Sequence, residues 1–457
     1  MRTVITASRG VVGLSGAAAP SLREVGYFSE YRRPRMLSPL REHLRDTFWF
    51  APVVAMAGVF VLWAAASAVD TALVEALQEA EAYDEVTELI GIVEDAKTIV
   101  TTISSAMMTF IGVVFSISLV AVQMASGQFS PRVVRIFIRS RITKATFSVF
   151  LATFLLSLLV LTSYDSGTDP RRVSTVPLVQ SALTLLMVGL SLLLFVAYVN
   201  TTLRLMRVGH VVERITTESF RVLAKQPRYA GEVDALGEAT AFLVHRGRAG
   251  LVRDVNVALL VRAARRQGVV LRLLPRIGDF VVPGTPVLAV HGGQASRRLA
   301  AAVSVGVERT FHQDVGFGLR QLADIGLRAL SPAVNDPTTA VQSLDRITQL
   351  LAELAGRPLG TVHHRDRAGV VRLVQDVPGW TDLVDLGFTE IRGCAAGNPQ
   401  VSRRMLAGLD DLLSLAPEDR REPLVRHRTL LVQLVERTAP EGADRAFALE
   451  ADRQGIG

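Results

Sequence analysis

The stretch LLMVGLSLLLFVAYV, residues 185–199, runs fifteen positions without a charge, and its reading decides the fold class. A helix crosses about 30 Å of hydrocarbon with roughly 20 residues at about 1.5 Å each, since unpaired backbone groups are not tolerated in lipid. Extended back to Pro177, this block meets that length. Three more uncharged blocks precede it: Phe48 to Val69, Ile103 to Met124 and Ala145 to Tyr164. Four transmembrane helices are therefore expected within residues 48–204. The first has Trp49 at its edge and Pro52 in its opening turn, where a missing amide costs little.

The flanks orient these spans, because cytoplasmic flanks retain positive charge. Eight arginines (Arg2, Arg9, Arg23, Arg32, Arg33, Arg35, Arg41 and Arg45) precede the first span against four acids. The loop from Asp70 to Lys97 carries nine acids and only that lysine, which predicts an outer loop. Arg132, Arg135, Arg139, Arg141 and Lys144 crowd the second loop without an acid, and Arg204 and Arg207 follow the fourth span. Only the short loop around Asp165, Asp169, Arg171 and Arg172 is balanced. These counts predict a bacterial inner-membrane protein with both termini in the cytoplasm.

Composition agrees. Over 457 residues the chain is 49% hydrophobic and 20% charged, with a mean hydropathy of +0.32, which excludes a wholly soluble protein. Cys394 is the single cysteine, which excludes a disulfide scaffold and a multi-cysteine zinc site. Of 50 basic residues only Lys97, Lys144 and Lys225 are lysine, the signature of a GC-rich bacterial genome. The net charge of +7 has a topological explanation in the span flanks and predicts no nucleic-acid partner. Residues 1–35 hold only VVGLSGAAA, too short and glycine-broken for a cleaved signal peptide; they are expected to form a disordered tail, or to precede a true start at Met36.

Residues 205–457 read as a cytoplasmic mixed α/β domain with a helical C-terminal part. A basic amphipathic helix from Leu205 to about Lys225 is expected to continue the fourth span out of the bilayer. AFLVHR (241–246) and GVVLRLL (268–274) are strand-like, with a helical pattern at 257–266 between them. PRIGDFVVPGTPVLAV, residues 275–290, places glycine turns around a β-branched run and predicts a small barrel near 241–290. It resembles the second half of a biotinyl/lipoyl-type domain, yet no lysine follows Lys225 to carry a swinging arm, so no cofactor is expected.

Two groups of residues stand out as candidate sites. In the segment from Val305 to Leu351, Leu319, Leu322, Ile325 and Leu327 form an apolar helical face, with Arg320, Asp324 and Arg328 on another. The helix breaks at Ser331-Pro332, and a new one starts at Asn335-Asp336-Pro337, where Asp336 suits an N-cap and Pro337 the first turn. This unit concentrates Asp314, Asp324, Arg328, Ser331, Asn335 and Asp336, either as a ligand or partner site or as a capped turn with a surface ion-pair row. In the second span, Thr98, Thr102, Ser105, Thr109, Gly112, Ser116 and Gln123 recur mostly at three- and four-residue steps. Such a stripe lets helices pack closely, or lines a polar path around an oligomer axis.

Four phrases, FWFAP (48–52), GVVFSISLVAVQMASGQFSPRVVRIFIR (112–139), ERTFHQDVGFGLRQLADIGLR (308–328) and ALSPAVNDPTTA (329–340), resemble the bacterial predicted-membrane-protein family called domain of unknown function 2254. The likeness runs from about Leu40 to about Leu415. It implies an integral membrane half followed by a cytoplasmic domain, and it carries no biochemical activity with it.

Catalytic spacings are missing: there is no phosphate loop, HExxH, GxSxG or EF-hand loop, and Gly316-Phe317-Gly318 lacks the third glycine of a dinucleotide fingerprint. His363 and His364, adjacent on a strand, point to opposite faces and form no joint metal site; His312 with Asp314 is a slightly better metal pair, and no metal is expected. An enzyme is therefore not expected. The expected function is an oligomeric ion or small-solute channel or transport protein, gated by its cytoplasmic domain. The alternative is a membrane-anchored scaffold or ligand-sensing protein without conduction, which the absence of charge inside the spans favours. The partners expected are the lipid bilayer, further copies of the chain and an ion or small-molecule ligand.

Overall fold

The computed structural model describes residues 47–128, 140–164, 175–225, 236–395, 397–439 and 442–454. The N-terminal arginines up to Arg45, together with Arg132, Arg135, Arg139 and the balanced loop around Asp165, lie outside them.

Among the described residues, four helices are long and apolar enough to cross a membrane: α1 (Phe50–Glu79), α2 (Tyr83–Gln128), α3 (Arg141–Thr162) and α4 (Leu178–Leu205). The acidic segment expected as a loop over 70–97 is instead helical. α1 continues to Glu79, the chain turns through Glu81 in the left-handed region (φ 57°), and α2 begins at Tyr83. Glutamate is a good helix former, and Val74, Val86 and Val93 give the acidic stretch a buried edge, so charge ends the lipid-compatible run without ending the helix. With 46 residues α2 is about 69 Å long, more than twice the hydrocarbon thickness.

α3 is the central helix: 50% of its apolar window is buried, against 17% for each of the other three. Leu156 and Val160 pack against Val59 of α1 and Val100 of α2. Phe147 and Phe150 meet Met107 and Val114 of α2 and Tyr198 of α4. Hydroxyls stitch the α3–α4 interface, with Thr153 and Ser191 3.0 Å apart and Thr146 donating to the Leu194 carbonyl at 3.3 Å. Each small hydroxyl permits close approach and is satisfied inside the bundle.

After α4 the chain breaks at Met206 and Arg207, and α5 (Val208–Leu223) starts in a new direction, because Arg207 is extended (φ −82°, ψ 122°). The helix expected to continue the fourth span is thus a separate one, whose buried Val211, Val212, Ile215 and Leu223 join the core of the α/β half.

Strands β1 (Ala241–Val244), β2 (Gly250–Val255), β3 (Val270–Leu273), β4 (Phe280–Val281), β5 (Pro286–His291), β6 (Val303–Gly306), β7 (Thr361–Arg365) and β8 (Val371–Asp376) form two sheets. One has the order β1-β5-β3-β8-β7, the other β4-β2-β6. The strands of the region expected as a small barrel near 241–290 are divided between these two sheets, whose inner residues share one core. The glycine corners form as read, with Gly278 at φ 100° and Gly284 at φ 93°. They turn β4 into a different sheet from β3 and β5, however, and β3 pairs in parallel with β8, about a hundred residues on. Helix α6 (Val257–Gln267), capped by Asn256 and ended by Gly268 at φ 68°, packs Leu260, Val261 and Ala264 into the sheet core.

The second core is helical: α7 (Val315–Ala329), α8 (Pro337–Ala355), α9 (Trp380–Ala395), α10 (Pro399–Leu415), α11 (Arg421–Thr438) and α12 (Ala443–Leu449). Leu319, Leu322 and Ile325 of the apolar face read from the sequence are buried here, with Leu327 packed at the edge. Ala121 of α2 belongs to the same cluster, so the long helix ties the apolar half to the α/β half.

Candidate functional site

Helix α2 touches its own chain along one narrow line. Val86, Val93, Val100, Met107, Val114 and Ala121 are buried and spaced by seven residues. At about 100° per residue this seam stays on one face, with the slow drift of a heptad on a straight helix. The stripe of Thr98, Thr102, Ser105, Thr109, Gly112, Ser116 and Gln123 lies about 180° away, and each of its members is exposed. A Cβ added at Gly112 would meet nothing within 4 Å, so this glycine serves no close approach within the chain. Thr102 donates to the Thr98 carbonyl at 2.8 Å and Ser105 to the Thr101 carbonyl at 3.2 Å. Apolar side chains, among them Met108, Phe115 and Leu119, flank the stripe. The sequence-derived residues therefore form a polar line from Thr98 to Ser116, with Gln123 two turns further on beyond Leu119 and Val120, on a face turned away from the other three helices.

The second candidate set is not brought together. Asp314 precedes α7, Asp324 lies in its second half, and Arg328, Ser331, Asn335 and Asp336 lie at or beyond its end, about 20 Å from Asp314 along a 15-residue helix. Each has a local duty. Asp314 is buried in a two-pronged pair with Arg309 (2.7 and 2.9 Å). Burial pushes its carboxyl above the usual range, while Arg309 holds it down. Arg320 spans Asp324 and Glu390 of α9, both at 2.7 Å.

The SPAVNDP turn is a capped corner. Asp336 accepts from the Thr339 N–H at 3.0 Å and from its hydroxyl at 2.5 Å, and Pro337 opens α8. Asn335 takes the left-handed conformation (φ 48°) and donates its N–H to the Ser331 carbonyl at 2.9 Å. The Asp336 N–H reaches back to the Ala329 carbonyl at 2.8 Å. Ser331 donates to the Arg328 carbonyl at 2.7 Å. Arg328 itself is exposed.

The glycine pair at 316–318 also has a packing role. A Cβ at Gly318 would collide with the Ser219 hydroxyl of α5. His364 is buried and 3.1 Å from Gln375, while His363 on the next position faces the other way, half-buried. Among the described residues no three His, Cys, Asp or Glu side chains converge as metal ligands.

Two polar features went unread in the sequence. Asp70, one residue past the expected end of the first span, is fully buried against the start of α4. Its only signal is an acid directly abutting an apolar block. The second is a cluster of Asp385 and Arg392 of α9 with Arg426 and His427 of α11. Its members are up to 42 residues apart, and no local spacing announces it.

A family model described as a predicted membrane protein, DUF2254, matches residues 45–411. Uncharacterized proteins of Mycobacterium bovis and of two Mycobacterium tuberculosis strains are each 28% identical over 379 residues, covering 79% of this chain and 70% of the relative. No solved structure matches. The apolar helices, the SPAVNDP turn and the α/β half up to residue 411 fall within the matched span, and the chain belongs to the DUF2254 family of predicted membrane proteins.

Proposed function

We propose that the chain is one subunit of a homo-oligomeric channel or transport protein of the bacterial inner membrane. Ser105, Thr109, Gly112, Ser116 and Gln123 of each copy line a shared polar path for an ion or small solute. Residues 205–457 lie in the cytoplasm with both termini and control that path. The observation that carries this reading is the opposition of the two faces of α2. A buried seam repeating every seven residues, with Ser104 beside it, holds the helix to its own bundle, and the polar stripe points the other way. A row of hydroxyls, a bare glycine and a glutamine is better placed against further copies or water than against acyl chains. The inward orientation rests on the arginine-rich flanks and the acidic α1–α2 hairpin. Neither mouth fixes ion selectivity, because orientation alone already demands the inner arginines. Ala121, seated in the helical core of the α/β half, supplies the mechanical link for control. No catalytic step belongs to this reading.

A specific observation favours a scaffold or ligand-sensing protein without conduction as the second reading: Thr102 and Ser105 spend their hydroxyl protons on their own helix. Cysteine placed at Ser105, Thr109 and Ser116, in a Cys394→Ser background, separates the two. A wet path makes these positions react with small water-soluble thiol reagents and gives ion flux in liposomes. Protection at all three, with no flux for any ion tried, leaves the spans as an anchor.

A further inference from the structure

We infer that the contact between α9 and α11 is a proton-operated latch, in which neutral His427 holds the two helices together and its protonation releases them. This inference is independent of conduction.

His427 is 1% exposed and uses both ring nitrogens. Nδ1 lies 2.8 Å from Nη1 of Arg392, and Nε2 lies 2.7 Å from Oδ1 of Asp385. A guanidinium carries only donors, so Nδ1 must accept. The ring is thereby fixed as the neutral tautomer whose Nε2–H donates to Asp385. Asp385, Phe388 and Arg392 stand at i, i+3 and i+7 on one face of α9, and the Phe388 ring lies 5.9 Å from the imidazole. Arg426 closes the group by donating to Asp385 at 2.6 Å.

A second proton on the ring must go to Nδ1. It removes the acceptor of the Arg392 bond and points an N–H at a guanidinium, setting two cations where one hydrogen bond stood. Asp385 alone then faces His427, Arg392 and Arg426. Burial pushes the imidazole below its ordinary 6.5, the Asp385 bond works the other way, and Arg392 pushes down again.

Among the described residues, Asp385, Arg392 and Arg426 are the charged groups that act on the ring. On α11 the positions one turn away are Pro423, Leu424, Leu430 and Leu431. α10 presents Asp410, held by Arg428 at 2.6 Å. α12 presents Asp444 and Arg445, the latter donating to the Ala439 carbonyl. The single-turn helix 418–420 presents Glu418, Asp419 and Arg420, with Arg420 donating to the Leu354 and Ala355 carbonyls at 2.9 and 2.8 Å. Release of α9 is felt elsewhere, because its Glu390 grips Arg320 of α7.

The test uses the full chain in detergent. Hydrogen exchange of peptides from α9 and α11 is followed from about pH 7.5 to about pH 5.5, corrected for intrinsic rates, beside a histidine-labelled NMR titration assigned with His427→Gln. The wild type should show the Nε2–H tautomer, a titration below the ordinary value, and about a tenfold loss of protection in both helices on acidification. In Arg392→Gln the amide oxygen can accept from a protonated Nδ1. The titration should move up and most of the acid-induced loss should vanish. A His427 titration at or above the ordinary value overturns the latch, as does an equal acid-induced loss in wild type and Arg392→Gln. If His427→Gln does not fold, the exchange comparison between wild type and Arg392→Gln still decides, since it needs no assignment of the His427 signal.

Discussion

Asp70 of α1 accepts hydrogen bonds from the backbone N–H of Val179 at 2.7 Å and of Gln180 at 3.2 Å, so the carboxylate that follows the first span caps the helix of the fourth. Pro177 at the N-cap position of α4 has no side chain to do this. The first amides of a helix need partners, and a buried carboxylate at the positive end of the helix dipole supplies both hydrogen bonding and charge. Replacing Asp70 with Ala should therefore cost about 1–3 kcal/mol, somewhat above an exposed cap because the freed amides stay buried. Thermal unfolding in detergent should show the loss, and Asp70→Asn should recover part of it. An unchanged midpoint in Asp70→Ala would mean that α4 is held by packing alone.

At the α5–α7 crossing, Gly318→Ala should lower stability by about 1–3 kcal/mol, since its methyl meets the Ser219 hydroxyl. Combining it with Ser219→Gly should recover most of that loss, because the two changes share one contact. Purely additive effects of the two changes would contradict the close approach.

The two ends of the SPAVNDP unit should behave differently. Asp336→Ala removes the cap of α8 and should cost about 0.5–2 kcal/mol. Arg328→Ala, at an exposed position, should change stability by less than about 0.5 kcal/mol. If Arg328→Ala nevertheless abolishes function in a deletion strain, this arginine binds an anion or a partner. Normal function would leave the turn as a structural corner.

Arg309→Met leaves Asp314 buried without its cation and should cost about 3–5 kcal/mol at neutral pH. The sign with pH is definite. A carboxyl whose folded-state value is raised binds more protons when folded than when unfolded, so its cost is present above its folded value and is relieved as pH falls through it. Unfolding midpoints should therefore converge between wild type and Arg309→Met on acidification, and Asp314→Asn should rescue the variant at neutral pH. A gap that stays constant with pH would assign the loss to packing of the arginine stem.

Reporter fusions after Gly457 and within residues 84–88 should report opposite sides of the membrane. The second site sits on α2 near the tip of the acidic hairpin. The same side for both would overturn the four-span topology.

The four apolar helices, the polar stripe of α2 and the SPAVNDP cap were legible in the sequence, because each is written in neighbouring residues. Hydropathy over 20 positions, a three- and four-residue period and an Asp-Pro helix start need no knowledge of what packs where. Tertiary structure decided the rest. The acids from Asp70 to Asp95 read as a loop because charge marks where lipid ends, whereas helix continues wherever propensity and one buried edge allow it. The glycine corners of 275–290 were legible because turns are local, whereas the parallel pairing of β3 with β8, about a hundred residues on, was not. The direction of the α2 stripe, outward rather than into its own bundle, came from which residues α3 and α4 cover. Asp70 on α4 and His427 between Arg392 and Asp385 are pairings across long separations. A lone acid beside an apolar block and a lone histidine in an arginine-rich helix acquire their roles only when folding brings the second partner within hydrogen-bond distance.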